Sequence, residues 1–161
     1  MALIIKKGDI LNCTENILAH QCNLTGSFGG GLALQIKNKF PGMEEKLQKY
    51  VRLWTSISTS PLGNYANLKV DKFNSESLRI SNCFTQNEDY TTNYGALEIV
   101  FNNLLKECKD NNWTIAVPYG YGSNIAIGSW IKVSKILENL SNKHNVPIII
   151  YRLENQKELS W

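Results

Sequence analysis

The chain reads as an α/β protein in which a mixed, mostly parallel sheet carries helices on both faces. Three observations predict this. Short apolar runs alternate with stretches of helical periodicity along most of the 161 residues, the order expected of strands joined by helical crossovers. The run Ile17-Leu18-Ala19 shows little polar alternation, as in a strand buried on both faces. Two glycine-rich turns, at residues 26–31 and 120–122, each follow an apolar run and precede a helical pattern, which suits the carboxyl edge of such a sheet.

Residues 3–6 read as the first strand, closed by Gly8-Asp9, and residues 12–16 as a polar turn. Residues 17–22 form the second strand. Leu32, Ala33, Ile36 and Phe40 mark a helix stopped by Pro41-Gly42, and Met43, Leu47, Tyr50, Val51 and Trp54 mark a second one directly after it. A Ser/Thr-rich loop at 56–64 leads to weakly alternating residues 65–73 and an apolar run at 78–84, read as two strands joined by a turn at Asn74-Ser75-Glu76. Residues 86–92 are polar and loop-like. Ala96, Leu97, Val100, Phe101, Leu104, Leu105 and Cys108 make the cleanest helical stripe in the chain. A strand at 113–117, a helix at 130–140 and a last strand at 146–153 complete the order. One domain over residues 1–154 is expected, followed by a short tail at 155–161.

Composition narrows the class. Hydrophobic residues make up 43% of the chain, enough for a core, and no apolar run approaches a membrane span. Met1 to Lys7 lacks the pattern of a signal peptide, so a cytoplasmic protein is expected. The 17 basic and 14 acidic residues are scattered, which argues against a nucleic-acid partner, and no membrane partner is expected. Cys13, Cys22, Cys83 and Cys108 have no zinc or redox spacing and read as reduced; no metal and no cofactor are expected. The Asn-, Lys- and Ile-rich usage points to an AT-rich genome, bacterial or phage. Oligomeric state is not legible.

Strand, glycine turn and helix together present backbone N–H groups and a helix dipole to an anion. Two such loops suit a diphosphate. Neither fits a known phosphate-loop pattern: the first is G-x-x-G-G-G, the second reaches Ile125 where a third glycine belongs, and neither holds Lys or Arg. A diphosphate here would lie in a nest of amides, an arrangement unlike that of phosphoryl-transfer enzymes.

Gly8-Asp9-Ile10, His20-Gln21-Cys22-Asn23, Gly29-Gly30-Gly31-Leu32-Ala33 and Pro118-Tyr119-Gly120-Tyr121-Gly122, in that order and spacing, resemble the macro domain. The resemblance is closest to the branch with ADP-ribose-1″-phosphate phosphatases and deADP-ribosylating enzymes; Asn82-Cys83-Phe84-Thr85-Gln86 also resembles a segment of bacterial and phage members. It implies a three-layer α/β/α fold that binds ADP-ribose. By the same resemblance Asp9, with Ile10 beside it, would meet the adenine, the alternative being a turn cap. Asn23 would lie near the distal ribose or else organise a turn. Gly29, Gly30, Gly31 and Leu32 would wrap the distal ribose and diphosphate, and Gly120, Tyr121, Gly122, Ser123 and Asn124 would cover the diphosphate. Tyr151 would lie along the adenine or pack in the core. Contacts to whatever the distal ribose carries would come from Ser27-Phe28 and residues 86–92.

Chemistry is the open question. His20 matches a position linked to activity in phosphatase-type relatives and could work as a general acid or base, or be a strand-end His bonded to backbone. Cys22 reads as core filler rather than a nucleophile. The acid that hydrolytic relatives carry before the late-helix Trp is Ser129 here, a good helix cap but no base. No lysine nucleophile is evident; Lys69 and Lys72 sit in no motif. Asp71, Glu88 and Asp89 are the central acids. The balance favours a reader, sensor or sequestering protein for ADP-ribose or an NAD-derived relative, such as a bacterial or phage immune signal. The alternative is a hydrolase acting on ADP-ribose-1″-phosphate or ADP-ribosyl adducts through His20.

Overall fold

The computed structural model describes residues 3–70, 78–123 and 126–160. Six strands, β1 (Leu3–Lys7), β2 (Ile17–Cys22), β3 (Tyr65–Lys69), β4 (Arg79–Phe84), β5 (Ile115–Pro118) and β6 (Ile148–Arg152), form one sheet in the order β1-β6-β5-β2-β4-β3. Every pairing is parallel except β3 with β4. Among the described residues four helices cover it: α1 (Gly31–Lys39), α2 (Met43–Ser56), α3 (Tyr94–Asn111) and α4 (Trp130–His144). This is the mixed, mostly parallel sheet that the sequence predicts. A short 3-10 turn over Ile10–Asn12 follows β1 and leads into the stretch 12–16 read as a polar turn.

Alternation along β2 divides the core. Ile17 and Ala19 join the α3 and α4 side with Leu97, Phe101, Leu104 and Val133, while Leu18 and Cys22 join the α1 and α2 side with Ile36, Met43 and Leu47. All seven residues of the α3 stripe are buried, and full burial of a large apolar side chain contributes about 1.5–3 kcal/mol. Asn93 caps α3 by accepting from the Ala96 N–H at 2.8 Å, and Asn112 ends it in the left-handed region.

The segment after β6 is tied down. The Leu159 N–H donates to the Tyr119 hydroxyl at 2.7 Å, and the Gln156 carbonyl accepts from the Arg152 guanidinium. The expected turn at 74–76, with Asp71 and Lys72, lies outside the described residues. Lys69 ends β3, exposed, beside the antiparallel edge of the sheet. All four cysteines are free thiols; Cys22, Cys83 and Cys108 are buried. Among the described residues no helix is long and apolar enough to cross a membrane.

Candidate functional site

The carboxyl ends of β5, β2 and β4 are neighbours, so the loops that follow them converge. Between them lies a cavity of about 480 Å³. β2 and its glycine loop supply one wall, including Asn23, Ser27 and Gly29 to Gly31. The β5 loop brings Tyr121, Gly122 and Ala126, and the β4 loop brings Gln86 and Tyr90. No described lining residue carries a full charge at neutral pH, since His20, the one titratable base there, is neutral.

Asn23 builds the first loop. Its Oδ1 accepts from the Thr25 and Ser27 N–H groups, each at 3.2 Å, and its Nδ2 donates to the Ser27 carbonyl at 3.1 Å. The amide expected near a ribose is therefore engaged in the turn. Phe28 is buried, and its N–H donates to the Glu44 carboxylate at 2.6 Å. That bond, with the Lys37 ammonium 3.1 Å away, holds the Glu44 carboxyl below its ordinary range. Beyond Phe28 the donors run out of acceptors. The N–H groups of Gly29, Gly30, Gly31, Leu32 and Ala33 meet none among the described residues, and all five residues line the cavity. Gly30 caps α1 without a side chain, so the helix end is open.

His20 lies on the α1 and α2 side of β2 at 1% exposure, edge-on to Phe28 with ring centres 5.3 Å apart. Its Nε2 is 2.7 Å from Asn82 Oδ1. Asn82 Nδ2 donates to the Ala66 and Ile80 carbonyls at 3.1 and 3.2 Å, which fixes the amide's orientation. Nε2 must therefore carry the proton, and Nδ1 is a bare acceptor without a protein partner. Burial pushes the imidazole down to about 4, so His20 is neutral near pH 7. Its partner is thus the Asn82 side chain rather than backbone. Burial likewise pushes the neighbouring Cys22 thiol well up, leaving an inert group that packs in the core.

The second loop is braced from behind. The Tyr121 ring is buried edge-on to Phe101, and its hydroxyl lies 2.7 Å from Thr85 Oγ1, so the ring packs inward and does not cover the cavity. Thr92 Oγ1 donates to the Gly122 carbonyl at 2.7 Å. Gly128 packs so closely that an added Cβ would fall 2.2 Å from that same oxygen. Ser129 accepts from the Lys132 N–H and caps α4, as its residue type predicts. The β4 loop bonds to the 126–128 segment through the Thr92 N–H to the Ile127 carbonyl at 2.9 Å. Glu88 and Asp89 lie outside the cavity lining, with Asp89 capping the Thr91 N–H.

Asp9, Ile10 and Tyr151 sit at the other side of the sheet, by β1 and β6, and do not line this cavity; nor do Gly120 and Ser123. Asp9 Oδ1 accepts from the Leu11 N–H at 2.9 Å, the turn cap that was its alternative reading. Ile10 is buried. Tyr151 is buried as well, its hydroxyl donating to Glu15 at 2.6 Å with the Lys6 ammonium 5.3 Å from the ring centre. Asn124 lies outside the described residues. Gln21, Gln86, Tyr90 and Ala126 also line the cavity, although their residue types gave no individual signal; Ser27, Gln86 and Tyr90 fall in the stretches read as variable.

Sheet order, layers and converging loops define an α/β/α protein with a crevice at the carboxyl ends of its central strands, and the chain has the macrodomain fold. The macrodomain of Mycobacterium tuberculosis DarG superposes with a TM-score of 0.78 at 20% identity, over 92% of this chain and 96% of that one. A macrodomain protein from Streptomyces coelicolor gives 0.78 at 18% identity, over 93% and 98%. Thermosipho africanus DarTG, solved in complex with ADP-ribose, gives 0.78 at 18% identity, over 98% of this chain and 43% of that one. No family model matches the sequence, and no curated protein matches it.

Proposed function

We propose that this protein binds ADP-ribose, or an NAD-derived nucleotide containing it, and leaves it intact, as a reader, sensor or sequestering protein. The observation that carries the reading is the row of N–H groups from Gly29 to Ala33, without acceptors, on the wall of an uncharged cavity. Gly29, Gly30 and Gly31 are exposed and Leu32 and Ala33 half-buried, so their N–H groups are open to a ligand, and a helix end with free amides favours a phosphate. The similar fold of DarTG, which was solved with ADP-ribose, supports the choice of nucleotide. So does the topology. Asp9 follows β1 and the cavity loops follow β5, β2 and β4, four strand intervals from end to end. At about 4.8 Å per interval this is ~19 Å, room for an adenosine at one edge and a diphosphate with its second ribose at the other.

Hydrolysis would need a group to move a proton, and the described lining lacks a carboxylate, a lysine or a charged imidazole. The rival reading, a hydrolase acting on ADP-ribose-1″-phosphate or an ADP-ribosyl adduct, draws on the unpartnered His20 Nδ1. That nitrogen is a weak base on a buried ring, and the position of the acid is taken by Ser129, which is engaged as a helix cap. A further step of the same reading is capture of NAD-derived immune signals in a bacterial or phage setting. An amide NMR titration with ADP-ribose tests the binding mode. Shifts concentrated at residues 29–33 are expected; a titration that leaves these five amides unmoved contradicts it.

A further inference from the structure

The first half of the glycine loop closes its own hydrogen bonds. The Gly26 N–H donates to the Asn23 carbonyl at 3.1 Å, and Asn23 Oδ1 accepts from Thr25 and Ser27. The next donor leaves the loop: the Phe28 N–H reaches Glu44 Oε2, in the first turn of α2, at 2.6 Å. The loop also rests on α2 at Gly26, where a Cβ would fall 3.0 Å from Val51 and 3.5 Å from Leu47. After Phe28 three glycines follow without side chains to hold them, and a Cβ at Gly29 would meet no atom within 4 Å. Glycine keeps wide backbone freedom unless its neighbours fix it. Here the neighbours are Ile36, buried in α1, and Phe28, held by its buried ring and by Glu44.

We propose that Glu44 is a positioning residue for the bound anion: its carboxylate holds Phe28 so that the amides from Gly29 to Ala33 stay turned to the cavity. This role rests on the binding reading above and adds what keeps that site in shape. A hydrogen bond to a charged acceptor is about twice as strong as a neutral one, and a preorganised loop loses less freedom on binding. The carboxylate does not spoil the site for an anion. Glu44 lies outside the cavity lining, and its Oε1 is 3.1 Å from the Lys37 ammonium of α1. Its two oxygens thus tie the loop, α1 and α2 together at one point. The Phe28 bond, and after it the Lys37 ammonium, keep the carboxyl ionised near pH 7.

The test joins amide hydrogen exchange, read by NMR, with calorimetric titration by ADP-ribose, on the whole chain and on Glu44→Ala and Glu44→Gln. In the wild type the Phe28 amide should exchange at least about tenfold more slowly than those of Gly29 to Gly31. Glu44→Ala should abolish that protection and weaken ADP-ribose binding about tenfold. Glu44→Gln keeps an oxygen that accepts from Phe28, so its affinity should return to within about threefold of wild type. If the alanine variant folds poorly, the wild-type exchange pattern and the modest loss in Glu44→Gln decide. A role in stability alone would lower the melting temperature and leave the affinity of both folded variants unchanged. A carboxylate that merely repels the ligand would make both variants bind more tightly. Either result, or a wild-type Phe28 amide that exchanges as fast as Gly29, overturns this role and leaves the binding reading standing. A wild type that does not bind ADP-ribose overturns both.

Discussion

Replacing Gly29 by alanine adds one methyl group at a point where the protein has no atom to meet it. A Cβ built there finds no heavy atom within 4 Å, and Gly29 is not among the positive-φ glycines. The fold should therefore accept the change. The unfolded chain loses backbone freedom, so stability should stay level or rise by up to about 1 kcal/mol. A bound diphosphate would meet that methyl, because an oxygen accepting from the adjoining N–H groups must come within about 3 Å of the nitrogen. Losing one charge-assisted hydrogen bond costs about 1.5–3 kcal/mol, which is an affinity loss of roughly ten- to a hundredfold. Thermal unfolding reads the first quantity and calorimetric titration with ADP-ribose the second. An unchanged melt with unchanged affinity would refute the placement of the anion. A melt several degrees lower would refute the claim that the space beside Gly29 is open.

Gly128→Ala is the opposite case: its Cβ would sit 2.2 Å from the Gly122 carbonyl oxygen, so both unfolding temperature and affinity should fall, and a melt equal to wild type would contradict the packing described. Asp9→Asn keeps an oxygen to cap the Leu11 N–H but replaces a carboxylate acceptor. Stability should hold within about 0.5 kcal/mol, as is usual for surface changes, while affinity for ADP-ribose falls and affinity for ribose-5-phosphate does not; a loss for both ligands would remove Asp9 from the adenine. His20 has its folded value depressed to about 4 from 6.5, so its contribution is complete above the unfolded value and fades as pH falls from 6.5 through 4. Urea unfolding should show wild type losing about 2 kcal/mol from this group between pH 7 and pH 5. A His20→Gln variant should lose correspondingly less, and equal slopes would contradict the buried neutral imidazole.

The sheet and its helices were legible because burial leaves periodic marks. The α3 stripe and the unalternating β2 each predict their element, and all seven stripe residues are buried as expected. The first glycine loop was legible too, since strand, glycine and helix in sequence leave donors without acceptors, whereas in the second the Tyr121 and Ser123 N–H groups bond within the loop. What the pattern hides is the use of polar side chains. Asn23 could reach outward or hold its own turn, and only coordinates show its amide engaged with Thr25 and Ser27. The state of His20 depends on Asn82, 62 residues away in sequence and directly opposite it in the β2–β4 register. Tyr121 gave an aromatic in a loop, with no sign that Thr85 and Phe101 would draw it inward.

The most direct measurement is calorimetric titration of the purified chain with ADP-ribose, followed by chromatography of the same mixture after prolonged incubation. The result expected here is saturable one-to-one binding with the nucleotide recovered unchanged, and the same recovery for ADP-ribose-1″-phosphate. Release of phosphate or of any other product, abolished by His20→Ala, would contradict the account by showing a working catalyst. No heat of binding and no competition by ADP would contradict it at the root, leaving the macrodomain fold with a crevice made for another ligand.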